Sequence, residues 1–192
     1  MTKNLFIILL SVTLLLFGCS KTNQLDDVSS IKNSSDSLNY KLDKNEFINN
    51  LSEKFKLFDS LSIMHVADIP EEESDTATST YIINNDLYID DLLIDSSNCH
   101  LSVNYYNDNT IESINVFANK EETAISFDYP FVYCIITTLV NEDDFDWVTF
   151  SKKYKLDSYE DVFENDVSGE EEKFKIFKSI NGEYVSVNIT MK

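Results

Sequence analysis

The sequence predicts an α+β fold: one antiparallel sheet covered on one face by helices, in the order α-β-β-β-β-α-α-β-β. Three observations predict it. Large apolar residues recur at helical spacing just beyond Asp43, two later segments alternate apolar and polar residues about turn-forming residues, and an almost wholly apolar run headed by Pro130 lies between those segments.

In chain order, Asp43 can cap a first helix with Glu46 three residues on, and Phe47, Leu51, Phe55 and Phe58 form its apolar stripe. Ile48 and Leu61 widen the stripe, so the helix is expected to end before the loop around Pro70. Glu71, Glu72, Glu73 and Asp75 read as a solvated acidic connection. Ser79 to Asn84 and Leu87 to Asp95 are strand candidates, with Asn85-Asp86 as the turn between them. The next hairpin is better specified. With Asp108-Asn109 as a two-residue turn, Val103 pairs with Ile114, Leu101 with Val116 and Cys99 with Ala118, all on one face. His100, Ser102 and Asn104 then oppose Phe117, Asn115 and Ser113 on the other.

Pro130 suits the first turn of a helix, and Phe131 to Val140 is apolar nearly all round, as a central buried helix requires. A second middle helix is expected from about Asp143. Glu142, Asp143 and Asp144 complement its dipole, Phe145, Val148, Phe150 and Tyr154 give it a buried side, and Trp147 beside them reads as core. A short helix around Ser158 to Phe163 can be capped by Ser158. The chain closes on a hairpin whose Asn181-Gly182 signals a type I′ turn. That turn pairs Ile176 with Val187 and Phe174 with Ile189 on the apolar side, and Lys173 with Thr190 and Lys175 with Asn188 on the polar side. Two hairpins with one apolar face each argue for a sheet covered on one side only.

Ahead of this domain, Lys3 precedes an uncharged run from Leu5 to Phe17, which suits the core of a signal peptide and is too short to span a bilayer, where roughly 20 apolar residues are needed. The run ends in Leu16-Phe17-Gly18-Cys19. This tetrapeptide resembles the lipobox of bacterial lipoproteins, with Phe17 bulkier than the usual occupant of its position. The resemblance implies a signal peptide over 1–18, cleavage behind Gly18 and a diacylglyceryl group on the Cys19 sulfur. Two acyl chains hold a protein stably where one does so marginally, each buried methylene contributing about 0.8 kcal/mol. Residues 19–39, rich in Ser, Asn, Asp and Lys, read as a flexible tether, and 40–192 as one α+β domain. The expected address is the extracytoplasmic face of the cell membrane. The element order of the body resembles that of small lipoproteins of Gram-positive bacteria, a likeness that carries no functional residues.

Composition narrows the chemistry. The chain has 34 acidic and 15 basic residues, a formal net charge of -19, and every basic residue is Lys. Nucleic acid is a poor partner for such a chain, and bidentate Arg recognition of carboxylate or phosphate is impossible. An acidic body also stands off anionic lipid, which leaves the anchor as the membrane contact. Once Cys19 is lipidated, Cys99 and Cys134 remain in a compartment where a disulfide can persist, although buried thiols serve equally as small hydrophobes. The familiar hydrolase, zinc-protease and nucleotide-binding motifs are absent, and His65 and His100 have no metal-ligand spacing. The acid clusters Asp143-Asp144-Asp146 and Asp157-Glu160-Asp161 lack the spacing of a calcium loop and sit where helices are expected to start. No cofactor or metal is expected.

The function expected is therefore non-enzymatic: a surface lipoprotein that binds a protein or envelope component. Its contact surface would be the uncovered sheet face, with Ser102, Asn104, Asn115 and Phe117 on it. Tyr105 and Tyr106 near a hairpin tip are further contact candidates that cross-strand packing explains equally well. Capture of a small solute is the alternative, and a carboxylate-dependent cell-wall hydrolase stands behind it.

Overall fold

Asp43 caps the first helix. Its carboxylate accepts the backbone N–H groups of Asn45 and Glu46 at 2.8 and 3.0 Å, satisfying two of the donors a helix start leaves open. The structure, a computed structural model, describes residues 41–58, 61–72, 74–89, 92–119, 130–140 and 145–192. The expected signal peptide, the tether and Cys19 lie outside the described residues.

Helix α1 (Lys44–Phe55) buries Phe47, Leu51 and Phe55, as its spacing predicts. It is shorter than expected. Leu61, read as helical, opens strand β1 (Leu61–Pro70), which also contains His65. Leu61 and Ile63 turn inward while Ser62 and Met64 are exposed, β-branched Ile63 and Val66 favour a strand, and a neighbouring strand is present to pair with it.

Strands β2 (Thr76–Ile89), β3 (Leu92–Tyr106) and β4 (Ile111–Asn119) follow. The expected turn at Asn85-Asp86 is strand: these residues pair with Ser97 and Ser96 inside a long β2. Tertiary pairing here overrides the weak strand preference of Asn and Asp.

The β3–β4 register agrees with the sequence at Leu101↔Val116, Val103↔Ile114, His100↔Phe117, Ser102↔Asn115 and Asn104↔Ser113. Its turn does not. The Tyr106 N–H bonds the Thr110 carbonyl, the Asn109 N–H returns to the Tyr106 carbonyl, and Asn109 takes φ 63°. The loop is therefore Asn107 to Asn109, one residue longer than expected. Tyr105 consequently faces Ile111, and Glu112 is the extra residue that restores the register at Asn104↔Ser113.

Helix α2 (Pro130–Leu139) buries Phe131, Val132, Cys134, Ile135, Ile136 and Leu139. Helix α3 (Trp147–Lys153) starts later than expected, capped by Asp146, which accepts from the Thr149 N–H and hydroxyl. That start makes Trp147, Phe150, Ser151 and Tyr154 the buried stripe, with Trp147, Phe150 and Tyr154 placed as expected, and leaves Val148, expected on the buried side, 60% exposed. Glu142, Asp143 and Asp144 lie outside the described residues.

The α3 end is a Schellman motif: Leu156 N–H bonds Ser151 O, Lys155 N–H bonds Lys152 O, and Lys155 holds the left-handed position at φ 54°. Helix α4 (Tyr159–Val162) is capped by Ser158, whose hydroxyl oxygen accepts the Asp161 N–H at 3.1 Å.

The chain ends in β5 (Val167–Glu170), β6 (Phe174–Asn181) and β7 (Tyr184–Met191). Strand β5 was not expected, and Asn181 ends β6 rather than sitting in the turn. Asn181 pairs with Tyr184, so the loop is Gly182-Glu183, with Gly182 at φ 64°. Positive φ at the first loop position is what a type II′ turn needs. Ile176 thus faces Ile189, Phe174 faces Met191 and Lys175 faces Thr190. Each partner moves by two residues, so the expected inner and outer faces survive.

All seven strands form one antiparallel sheet in the order β1-β2-β3-β4-β7-β6-β5, so the class is α+β. One face is buried through Tyr81, Leu101, Val103, Ile114, Val116, Ile176, Val187 and Ile189, in the same cluster as the buried residues of α1, α2 and α3. Cys99 and Cys134 are both buried there as thiols.

Two polar devices tie the last helices to this face. Lys178, fully buried, donates to the carbonyls of Lys155, Asp161 and Val162 at 2.9, 2.7 and 3.2 Å. Burial pulls its pKa down to about 8, against the neighbouring Asp161 and Asp166. Tyr154 packs on Gly169, where a Cβ would stand 2.6 Å from its hydroxyl oxygen, and that hydroxyl donates to Glu171 Oε1 at 2.6 Å.

Candidate functional site

Alternation within each strand delivers the side chains opposite the core to a second face. Following the register from β2 to β6, this face contains three rows of five: Thr78-Asn104-Ser113-Thr190-Lys175, Thr80-Ser102-Asn115-Asn188-Phe177 and Ile82-His100-Phe117-Ser186-Ser179. The four residues expected at a contact surface, Ser102, Asn104, Asn115 and Phe117, are brought together in them. With 34 acids in a chain of 192 residues, these fifteen positions hold none.

The rows are cross-linked by their own side chains. Thr78 Oγ1 donates to Asn104 Oδ1 at 2.7 Å, and Asn104 Nδ2 to Ser113 Oγ at 3.0 Å. Thr190 Oγ1 donates to Asn188 Oδ1 at 2.9 Å, and Asn188 Nδ2 to Asn115 Oδ1 at 2.6 Å. Amides and hydroxyls are thereby held in fixed orientations without charge. Phe117 stacks on Tyr184, ring centroids 5.2 Å apart and planes inclined by 20°. Phe117, Tyr184 and Phe177 remain 42%, 43% and 48% exposed. Beside Phe177 a shallow depression of about 400 Å³ is lined by Ser168, Glu170, Lys175, Phe177, Asn188 and Thr190.

Sequence reasoning missed Tyr184 and Phe177 as parts of this face. It placed Asn188 and Thr190 on the polar side of their hairpin, but the adjacency of β4 and β7 that joins them to Asn115 has no local signal.

A second polar constellation lies at the start of α1. Lys44 Nζ donates to Ser79 Oγ at 3.0 Å, lies 3.7 Å from Asp68 Oδ1 and stands 3.9 Å from the centre of the Tyr105 ring. The Ser79 hydroxyl donates to Asp68, and His65 Nε2 is 3.4 Å from the same carboxylate. The Ser79 hydrogen bond, aided by Lys44 and His65, holds Asp68 below the usual carboxylate range. Ser79 is fully buried, its hydroxyl occupied on both sides, so the group works as a clasp between helix and sheet rather than as an exposed nucleophile.

A second depression, of about 380 Å³, is lined by Lys41, Tyr106, Asp108, Thr110, Glu112 and Lys192. Its ions are paired: Lys41 with Asp108 at 3.5 Å and Lys192 with Glu170 at 2.8 Å, while the Tyr106 hydroxyl donates to Glu112 at 3.3 Å. Among the described residues, no cluster of His, Cys, Asp or Glu could hold a metal ion, the buried polar residues are Ser79, Ser113, Thr137, Ser151 and Lys178, and no helix is long and apolar enough to cross a membrane.

Fold and face together define an α+β protein built on one seven-stranded antiparallel sheet with a carboxylate-free outer array. Comparison with family models, with curated proteins and with solved structures finds no match to this chain.

Proposed function

We propose that this chain is a non-enzymatic binding module, held by lipid on Cys19 at the extracytoplasmic face of the cell membrane, which meets a protein or envelope component with the outer face of its sheet. In this reading the helices cover the buried face and leave the other to the partner. The observation that carries it is the absence of any carboxylate from three rows of five in a chain of net charge -19. Desolvating carboxylates is costly, so a surface that must lose water on contact is best built without them.

The test is complementation of a deletion strain with three alleles. Wild type restores its phenotype; Cys19→Ala releases the protein to the medium; Ser102→Glu with Asn115→Asp stays at the membrane and fails to complement. Full complementation by the double variant would refute the contact face, and retention of Cys19→Ala at the membrane would refute the anchor.

A further inference from the structure

The chemistry of the outer face narrows the partner. We infer that it binds an uncharged polysaccharide chain, laid across the strands from β2 to β6 with Phe117, Tyr184 and Phe177 as its ring contacts; this rests on the contact face proposed above.

Charge complementarity comes first. The rows hold no carboxylate, and their one Lys, Lys175, is registered against Glu170, which is itself 2.8 Å from Lys192. An anionic partner gains nothing here and is repelled by the rest of a chain of net charge -19; a cationic partner is drawn to the acids elsewhere. A second copy brings the same negative charge and meets the same repulsion. The ligand matched to this surface is neutral.

The groups displayed give its class. Oriented Asn, Ser and Thr side chains offer both donors and acceptors, which suits a ligand rich in hydroxyls. Phe117, Tyr184 and Phe177 present ring surface, which suits a ligand with C–H faces as well. Sugar rings combine the two, with hydroxyls at the perimeter and C–H groups on the faces. The array is extended: five strands at about 4.8 Å spacing span about 20 Å, enough for several sugar units rather than one. The depression beside Phe177 lies at its β6 end.

Isothermal titration of the full chain, kept in a detergent without sugar headgroups, tests this with chitohexaose and cellohexaose as probes and polygalacturonate as the anionic control. Saturable binding of a neutral hexasaccharide is expected, at least tenfold weaker in Phe117→Ala with Tyr184→Ala and unaffected by Val148→Ala. Circular dichroism confirms the fold of each variant, and Phe177→Ala, a single exposed truncation, gives an independent loss. Binding of neither neutral probe, equal binding of polygalacturonate, or retention of affinity in the aromatic variants overturns the inference. A dimer in sedimentation that Phe117→Ala dissolves also overturns it, in favour of a second copy. The complementation alleles keep the two readings apart. If the neutral probes fail and Ser102→Glu with Asn115→Asp still loses function, the polysaccharide is wrong and the face stands; if that allele complements, the face itself is wrong.

Discussion

Replacing Lys178 by Met keeps an unbranched side chain of nearly the same length, one atom shorter, and removes the ammonium that three carbonyls share. The Asp161 carbonyl keeps the Glu164 N–H at 3.5 Å; each of the other two, left buried without a donor, costs about 1–3 kcal/mol, so together they cost about 4. Removing the charge returns part of this. The fall in pKa from 10.5 to about 8 corresponds to roughly 3 kcal/mol of desolvation that Met does not suffer. The net expectation is a loss of about 1 kcal/mol at pH 7, read from urea unfolding by the fluorescence of Trp147, the chain's one Trp, which is buried beside Phe150. The pH dependence has a definite sign. Between about pH 8 and 10.5 the unfolded chain holds this proton while the folded chain has released it, so raising pH through that window favours the folded state. The gap between wild type and Lys178→Met should therefore widen by up to roughly 3 kcal/mol across that window. A variant as stable as wild type at pH 7 would show that the helix-end carbonyls find other donors and that the reasoning is wrong, as happens when well-packed apolar residues replace buried ions.

Three further substitutions or probes follow from the same geometry. Gly169→Ala should cost about 1–3 kcal/mol in the same assay, because the new Cβ meets the fully buried Tyr154; no change would mean that β5 shifts freely. Lys155→Gly should stabilise the protein by up to about 1 kcal/mol by relieving φ 54° at the Schellman position, and a lower melting temperature would count against that account. Cys134, its thiol pushed up to about 12 by burial, and the equally buried Cys99 should resist a thiol reagent at pH 8 until denaturant is added; rapid labelling of the native protein would contradict their placement.

Local patterns were legible wherever one strand face is apolar. The β3–β4 register could be read despite a wrong turn, because the bulge at Glu112 cancels the extra residue in the loop. The last hairpin was displaced by two, which moves every partner and leaves every face unchanged. Other features were hidden for physical reasons. Leu61 satisfies helical spacing and strand alternation alike, and only the presence of β2 decides between them. Asn85-Asp86 has the composition of a turn, but Asn85 pairs with Leu61 on one side and Ser97 on the other, and Asp86 with Ser96, which keeps the segment extended. The candidate face was half visible: Ser102, Asn104, Asn115 and Phe117 came from one hairpin, whereas Tyr184, Asn188 and Thr190 joined them through a non-local strand pairing that no local window contains.

The register break between His65 and Ala67 matters most at the rim of the sheet. Strand β1 is ten residues long and lies at one edge, where unpaired backbone groups can recruit a strand from another molecule. Val66 interrupts that row midway, and the opposite edge, β5, offers only four residues. A chain at high concentration among copies of itself is thus protected at both rims against runaway edge-to-edge growth. Deleting Val66 would straighten the longer rim, and the expected result is time-dependent light scattering from a solution that is otherwise clear.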